Sequence, residues 1–236
     1  LRKKILFTLV IIAVYRLMTL ITIPEVNKEA LQYVFDKNSL LGAFSLLTGG
    51  SAENFSIVLM GLSPYINASI IVQLLTVIIP RFEEISKEGE QGRKRLNRWT
   101  RWLTFPLAFL QSYGMITLLN TQAQVPIIEN LSDPMTIIPI MLVISAGTVV
   151  LMWLGEVITE KGIGNGTSIL IFAGIVASMP TIVGPTLKLA QNEPERLLPM
   201  VAMLLFALLF TLVVVMFTEG QRRIPVTYAG QSGRAK

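Results

Sequence analysis

The chain is 236 residues long, enough for one or two water-soluble domains, yet 52% of it is hydrophobic and only 15% charged. Soluble domains usually carry ~25% charged residues; here the mean hydropathy is +0.61 and the charges cluster between long uncharged windows, which excludes a soluble core of ordinary design. Cysteine and histidine are both absent, so disulfides, thiolate metal sites, Cys or His nucleophile–base pairs and histidine proton relays are excluded too.

A membrane span needs ~20 mainly apolar residues to cross a hydrocarbon core of ~30 Å. In chain order the first such segment is Ile5–Ile23, broken only by Arg16. Ser39–Ala52 follows, uncharged but 14 residues long and ending in Thr48, Gly49, Gly50, Ser51 and Ala52. It is too short to span, and reads either as an interfacial helix or as a buried, re-entrant half-helix. Phe55–Pro80 carries no charge, and Trp102–Leu119 starts beneath a Trp99/Trp102 pair suited to a membrane interface. Thr136–Gly155, Thr167–Leu187 and Leu197–Phe217 are also uncharged. The pattern predicts an all-α polytopic membrane protein with six transmembrane helices and one short half-helix.

Lysine and arginine set the orientation. Fifteen of the twenty lie at the amino end, in the Arg81–Arg101 connection, in the Glu156–Gly166 turn and in the tail after the last span. The alternate connections hold only Lys28, Lys37, Lys188 and Arg196. Both termini are therefore expected in the cytoplasm, in agreement with an even number of spans. The first segment is a poor signal peptide, because its apolar run is long, contains Arg16 and has no small-x-small cleavage pattern after it.

Arg16 is the one formal charge well inside a span, roughly 16 Å along the helix axis from Ile5. A central arginine costs ~2.5–3.5 kcal/mol on insertion scales, so it either faces protein or a watery cavity or snorkels outward. No carboxylate accompanies it within the spans, which weakens an ion-coupled transporter. The loop RFEEISKEGEQGRKRLNRWTR from Arg81 concentrates its positive charge at Arg93, Lys94, Arg95 and Arg98. It serves as a topology determinant, as a polybasic surface for lipid headgroups or RNA, or as both. Arg222 and Arg223 offer a second patch on the same side. Gly162–Gly166 lacks the lysine and Ser/Thr of a phosphate-binding loop and reads as a tight turn between two spans. Ile66 and Ile70 stand four apart, as do Thr167 and Ile171, each pair on one helical face. Periodicity alone makes these ordinary packing positions. Asn67, Ser69 and Gln73 offer polar contacts to neighbouring helices.

These segments carry a resemblance. LRKKILFTL, LSPYINASIIVQLLTVIIP, EGEQGRKRLNRWTR, LMWLGEVITEKGIGNGTSILIFAGIVASMP and EGQRRIPVTYA resemble, in order, the SecY-type protein-conducting channel family, from Leu1 to about Ala229. The resemblance implies a ten-span channel of two inverted five-span halves. Its pore is an hourglass with an apolar ring at the waist, a short plug helix and a side gate opening to lipid. Residues 1–187 would be the amino-terminal half with its plug at about 39–52, residues 188–217 the sixth span, and 218–236 a cytoplasmic tail or shortened loop.

By the same resemblance, Ile66, Ile70, Thr167 and Ile171 match the pore ring, and Leu40, Leu41, Phe44, Leu47, Gly49 and Gly50 the plug. Asn67 and Gln73 would lie on the gate side. Arg93, Lys94, Arg95, Arg98, Arg222 and Arg223 fall on the surface that resembles the docking face for a ribosome, with its RNA, and for a SecA-like motor ATPase. SecE-like and SecG-like small membrane subunits, a translocating signal-bearing polypeptide and membrane lipid are the implied partners, in the cell inner membrane. No cofactor, metal or catalytic residue is implied. Thr167 stands where isoleucine is common, the chain begins without methionine, and Gly230–Lys236 fits the pattern poorly. A truncated chain, a partly seen chain and a split subunit all remain open. From other classes, a small-solute secondary transporter with inverted repeats is the runner-up; an intramembrane enzyme lacks any acid, base or metal constellation in the spans.

Overall fold

The computed structural model describes residues 1–24, 26–128, 130–131, 133–192 and 197–220. They fall into two units, Leu1–Pro180 and Thr181–Lys236. The first holds helices α1 to α7 and α8 as far as Pro180.

Helix α1 (Arg2–Leu20) buries Thr8, Ile11, Tyr15 and Thr19, a single stripe at helical spacing. Its other faces expose Leu6, Leu9, Val10, Leu17 and Leu20. Apolar residues on all sides suit a helix between protein and lipid. Helix α2 (Lys28–Lys37) lies in what the sequence offered only as a connection. The Asn27 side chain accepts from the amides of Glu29 and Ala30, each at 3.1 Å, and Ala30, Leu31, Val34 and Phe35 form its buried face. Asn38 likewise caps α3 (Ser39–Leu47) by accepting from the Leu40 amide. The uncharged 39–52 stretch is thus helical only to Leu47, and turns follow it.

Those turns run on to Leu62 and correct the expected span from Phe55. Phe55 takes a left-handed φ of 44° and is 1% exposed. Its carbonyl accepts from the Ile23 amide, and Ile57 N–H donates to Ile21. These bonds satisfy the buried backbone without a helix. Helix α4 (Ser63–Ile78) starts with Pro64 in its first turn, where a missing N–H costs nothing. It stops at Ile79, because Pro80 disfavours the helical region for the residue before it; Ile79 is extended, and α5 (Pro80–Lys87) leaves at 102° to α4.

The expected basic loop is also corrected. It is a helical hairpin: α5, a turn through Gly89 at φ 73°, then α6 (Glu90–Gln122), which begins in the charged segment and continues through the apolar one. Salt bridges spaced i, i+4 support it, Glu83–Lys87 at 2.6 Å and Glu90–Lys94 at 2.9 Å. Each such exposed pair contributes little, and the half-buried Phe82, Ile85 and Leu96 give the hairpin an apolar face, with Phe82 packed on Trp99. Where the helices cross, a Cβ on Gly92 would stand 1.7 Å from the Ile85 carbonyl oxygen, so only glycine fits.

Along α6, Thr100, Thr104, Ala108 and Ser112 make a stripe of small buried residues. Small residues let membrane helices approach closely, and α6 packs against both α4 and α7. Helix α7 (Pro134–Lys161) is capped by Asp133 and also packs on α1. Asn165 caps α8 (Gly166–Asn192), its side chain accepting from Thr167 N–H at 3.1 Å and from the Thr167 hydroxyl at 2.6 Å. The Gly162–Gly166 segment, read from the sequence as a tight turn, thus also caps a helix through Asn165.

Two cores result. One joins α2, the turns, the ends of α6 and α7 through Leu31, Phe55, Leu59, Ile116, Leu119 and Ile144. The other joins α1, Val58, Leu62, α7 and the start of α8 through Ile11, Tyr15, Leu151, Ile158 and Leu170. In the second unit, α9 (Leu197–Glu219) is apolar and exposed along the described part of its length.

Among the described residues, three helices are long and apolar enough to cross a membrane alone: α6, α7 and Val201–Glu219 of α9. The bent pair α4–α5 makes a fourth if it counts as one span. The described apolar part of α8, Gly166–Pro180, is shorter, and α1 carries Arg2, Lys3, Lys4 and Arg16. The six expected segments are thus all helical over most of their lengths, with fewer meeting the span criterion unaided.

Candidate functional site

Between the two cores lies a partly open, mainly apolar cavity of about 300 Å³. Tyr15 reaches it from α1, Phe44 and Thr48 from α3 and its terminal turn, and Met60, Leu62 and Ile66 from the turns and α4. Leu151 of α7 and Leu170 and Ile171 of α8 also line it. Two of the four expected ring residues, Ile66 and Ile171, and one expected plug residue, Phe44, therefore line the same space. Ile70 lies one turn further along α4, half exposed. Thr167 sits at the start of α8 with its hydroxyl spent on the Asn165 cap. Neither lines the cavity. The remaining lining residues, above all Tyr15 and Leu170, went unread because their apolar or aromatic character matches every other residue in the spans.

The α3 segment sits beside this cavity in a defined way. Leu41 is buried with α2, whereas Leu40 is 79% exposed. The Leu47 side chain lies outside the described residues. Gly49 and Gly50 adopt φ of 68° and 80°, the left-handed region that favours glycine. Arg16 Nη1 donates to the Gly49 carbonyl at 2.7 Å, and the Tyr15 hydroxyl donates to the Thr48 carbonyl at 3.3 Å. Arg16 is thus directed at protein, which resolves the two readings left open for it.

The other expected residues are distributed as follows. Gln73 is exposed on α4 and donates through Nε2 to the Ser69 hydroxyl at 3.2 Å; Asn67 is exposed as well. Arg93, Lys94, Arg95 and Arg98 project from the first turns of α6, all exposed. Arg95 pairs with Glu88 at 3.1 Å. Arg95 and Arg98 line a surface cleft together with Trp99 and Trp102. On α5, the hydrogen bond from Lys87 to Glu83 raises the ammonium above its ordinary range. Arg222 and Arg223 lie outside the described residues. Behind this face Arg101 Nε meets Glu156 at 2.6 Å, tying α6 to α7. Among the described residues, no group of three or more acidic side chains could hold a metal ion.

Apolar helices packed through small residues around an apolar cavity, with exposed cations collected on one helical hairpin, define a multi-pass helical membrane protein. The SecY family model matches residues 56–236, and the chain belongs to the SecY family. It is 44% identical over 243 residues to the protein translocase subunit SecY of Bacillus subtilis (strain 168), covering 99% of this chain and 55% of that relative. It is 41% identical over 239 residues to the subunit of the same name from Vibrio cholerae serotype O1, covering 99% of this chain and 53% of the relative. The chain thus spans about half the length of these curated relatives. Among solved structures it is similar to Sec61 in the canine ribosome-channel complex from the endoplasmic reticulum, with a TM-score of 0.59 and 18% identity. That match covers 94% of this chain and 49% of the other, and it bears on the fold.

Proposed function

We propose that this chain supplies one half of a protein-conducting channel together with its sixth span, passing unfolded secretory polypeptides and releasing hydrophobic segments sideways into lipid. The observation that carries the reading is the apolar cavity shared by Ile66, Ile171 and Phe44, residues 127 or fewer positions apart in sequence yet on three different elements. A narrow apolar constriction can do two jobs. Empty, it sheds water and raises a barrier to ions. Occupied, it makes no specific hydrogen bonds, so it passes side chains of any kind. A signal segment of ~20 apolar residues is stable once it reaches the bilayer, and Asn67 and Gln73 on the exposed face of α4 would border that exit.

In this reading α1, α4, α6, α7, α8 and α9 are the six spans, and α3 with its terminal turn is the plug. Ile70 and Thr167 belong to the ring when the constriction is occupied. The basic hairpin and the Arg222/Arg223 tail form a cytoplasmic docking face, so both termini of the chain lie on the cytoplasmic side of the inner membrane. A ribosome, contacted in part through its RNA, or a SecA-like motor would dock there, and SecE-like and SecG-like subunits would complete the complex. The chain would act without cofactor or catalysis, its driving energy coming from a partner. The matched relatives are named as protein translocase subunits, and the small-solute transporter finds no support among them.

The direct test places a photo-crosslinking residue at Ile171 in the complete complex and stalls a secretory polypeptide part-way across. A crosslink to the stalled chain that disappears when the signal sequence is disabled is the expected result. Labelling by a small solute, with no crosslink to the polypeptide, would sink the channel reading.

A further inference from the structure

Arg16 is an uncommon residue to find in a membrane span, and the structure gives it an uncommon partner. It makes no ion pair among the described residues; it donates at 2.7 Å to a main-chain carbonyl, that of Gly49. The preceding residue on α1 does the same one carbonyl earlier, Tyr15 to Thr48 at 3.3 Å. Both acceptors lie just past the carboxyl end of α3, where the helix leaves unsatisfied carbonyls and a partial negative charge. Consecutive side chains of one helix thus hold consecutive carbonyls at the end of another.

The held turn is wedged. A Cβ on Gly49 would stand 2.9 Å from the Gly174 Cα of α8 and 3.1 Å from the Tyr15 hydroxyl. The turn therefore lies between α1 and α8, on the same helix that brings Ile171 to the cavity, and Phe44 and Thr48 reach that cavity from it. On either side of the latch, the Ser45 and Ser51 hydroxyls are buried with no hydrogen-bond partner among the described residues. The charge-assisted bond from Arg16 to a carbonyl favours the seated arrangement, and the neutral bond from Tyr15 adds to it.

We propose that Tyr15 and Arg16 are positioning residues that latch the α3 terminal turn against α8 and so keep the constriction closed, and that breaking these two carbonyl contacts is the step that frees the turn. The proposal rests on the channel reading above. A carbonyl acceptor suits a latch better than a carboxylate would. It is strong enough to favour one state, yet it leaves no second buried charge when the contact opens.

The test uses the full-length subunit with its partner subunits in planar bilayers, reading resting ion conductance and, in cells, export of a reporter with a disabled signal sequence. Arg16→Met removes the donor and eases insertion of the span. It should raise resting conductance about tenfold or more, the range expected for loss of a hydrogen bond to a charged group. Arg16→Lys keeps a donor and should restore most of the tightness. Tyr15→Phe, which deletes one oxygen and leaves the fold otherwise unaltered, should leak a few-fold, about what one neutral hydrogen bond is worth. Because the latch acts through the turn, Arg16→Met should add nothing once Leu40–Gly50 is deleted. An Arg16→Met channel as tight as the parent, or one whose leak multiplies with that of the deletion, overturns the latch. A deletion that leaks beside tight Arg16 and Tyr15 variants overturns the latch alone. A deletion that stays tight, with no Ile171 crosslink, overturns the channel reading and the latch with it.

Discussion

At the scale of single residues, the cavity lining is mainly apolar, with hydroxyls at Tyr15, Thr48 and Ser63. Ile66 and Ile171 face the same space as Phe44 from α4, α8 and α3. Ile171→Asn places an amide there that favours a wetted constriction, so ion leak through the resting complex should rise several-fold, as measured by single-channel recording. Ile70→Asn should do less in the resting state, because Ile70 lies outside the cavity, and should act mainly on signal-sequence stringency. Equal and unchanged conductance in both would remove the ring. Asn165 matters differently. It holds the first turn of α8 by accepting three donors from Thr167 and Ser168. Asn165→Ala should cost about 1 kcal/mol of stability, the usual loss on removing an N-cap, readable as a lower thermal midpoint in detergent.

At the scale of elements, the α5–α6 hairpin shows how a charged segment can be regular. The alternation of Glu and Lys at i, i+4 supports both helices, and the Gly92 crossing sets their separation. Gly92→Ala forces its Cβ into the Ile85 carbonyl, so α5 must move away from α6. The expected outcome is an opened hairpin, seen as new protease cleavage near Gly89 with the apolar part of α6 still protected. The same logic explains what the sequence left hidden. Helix α2 was legible in principle from Asn27 followed by Ala30, Leu31, Val34 and Phe35, but Lys28 and Lys37 drew it into a connection. The Phe55–Leu62 turns were not legible, because uncharged residues that fold into buried turns look like uncharged residues of a span. Only the backbone bonds to Ile21 and Ile23 distinguish them.

At the scale of the whole molecule, charge is separated from the apolar helices, and this separation is a prediction about partners. Arg93, Lys94 and Arg98 are exposed on one hairpin. Replacing all three with Glu should weaken binding of anionic or acidic partners at least tenfold and flatten its salt dependence, because each lost cation removes one counterion-release contribution. Binding isotherms at two ionic strengths would measure both effects. An affinity that drops without any change in salt slope would point to lost packing against Trp99 and Trp102 instead.

The membrane class and the run of apolar helices were determined by the sequence alone, because hydropathy is a sum over residues that needs no neighbours. The caps at Asn38 and Asn165 also act within a few residues, but only the structure revealed them. Tertiary structure decided the rest. Which isoleucines share a cavity depends on where α4 ends at Ile79 and where α8 begins at Asn165. That Arg16 meets the Gly49 carbonyl depends on folding 33 residues of chain back onto α1. An arginine inside an apolar helix is costly and can be relieved in more than one way; the fold of the α3 terminal turn between α1 and α8, with room for no side chain at Gly49, supplies the one seen here.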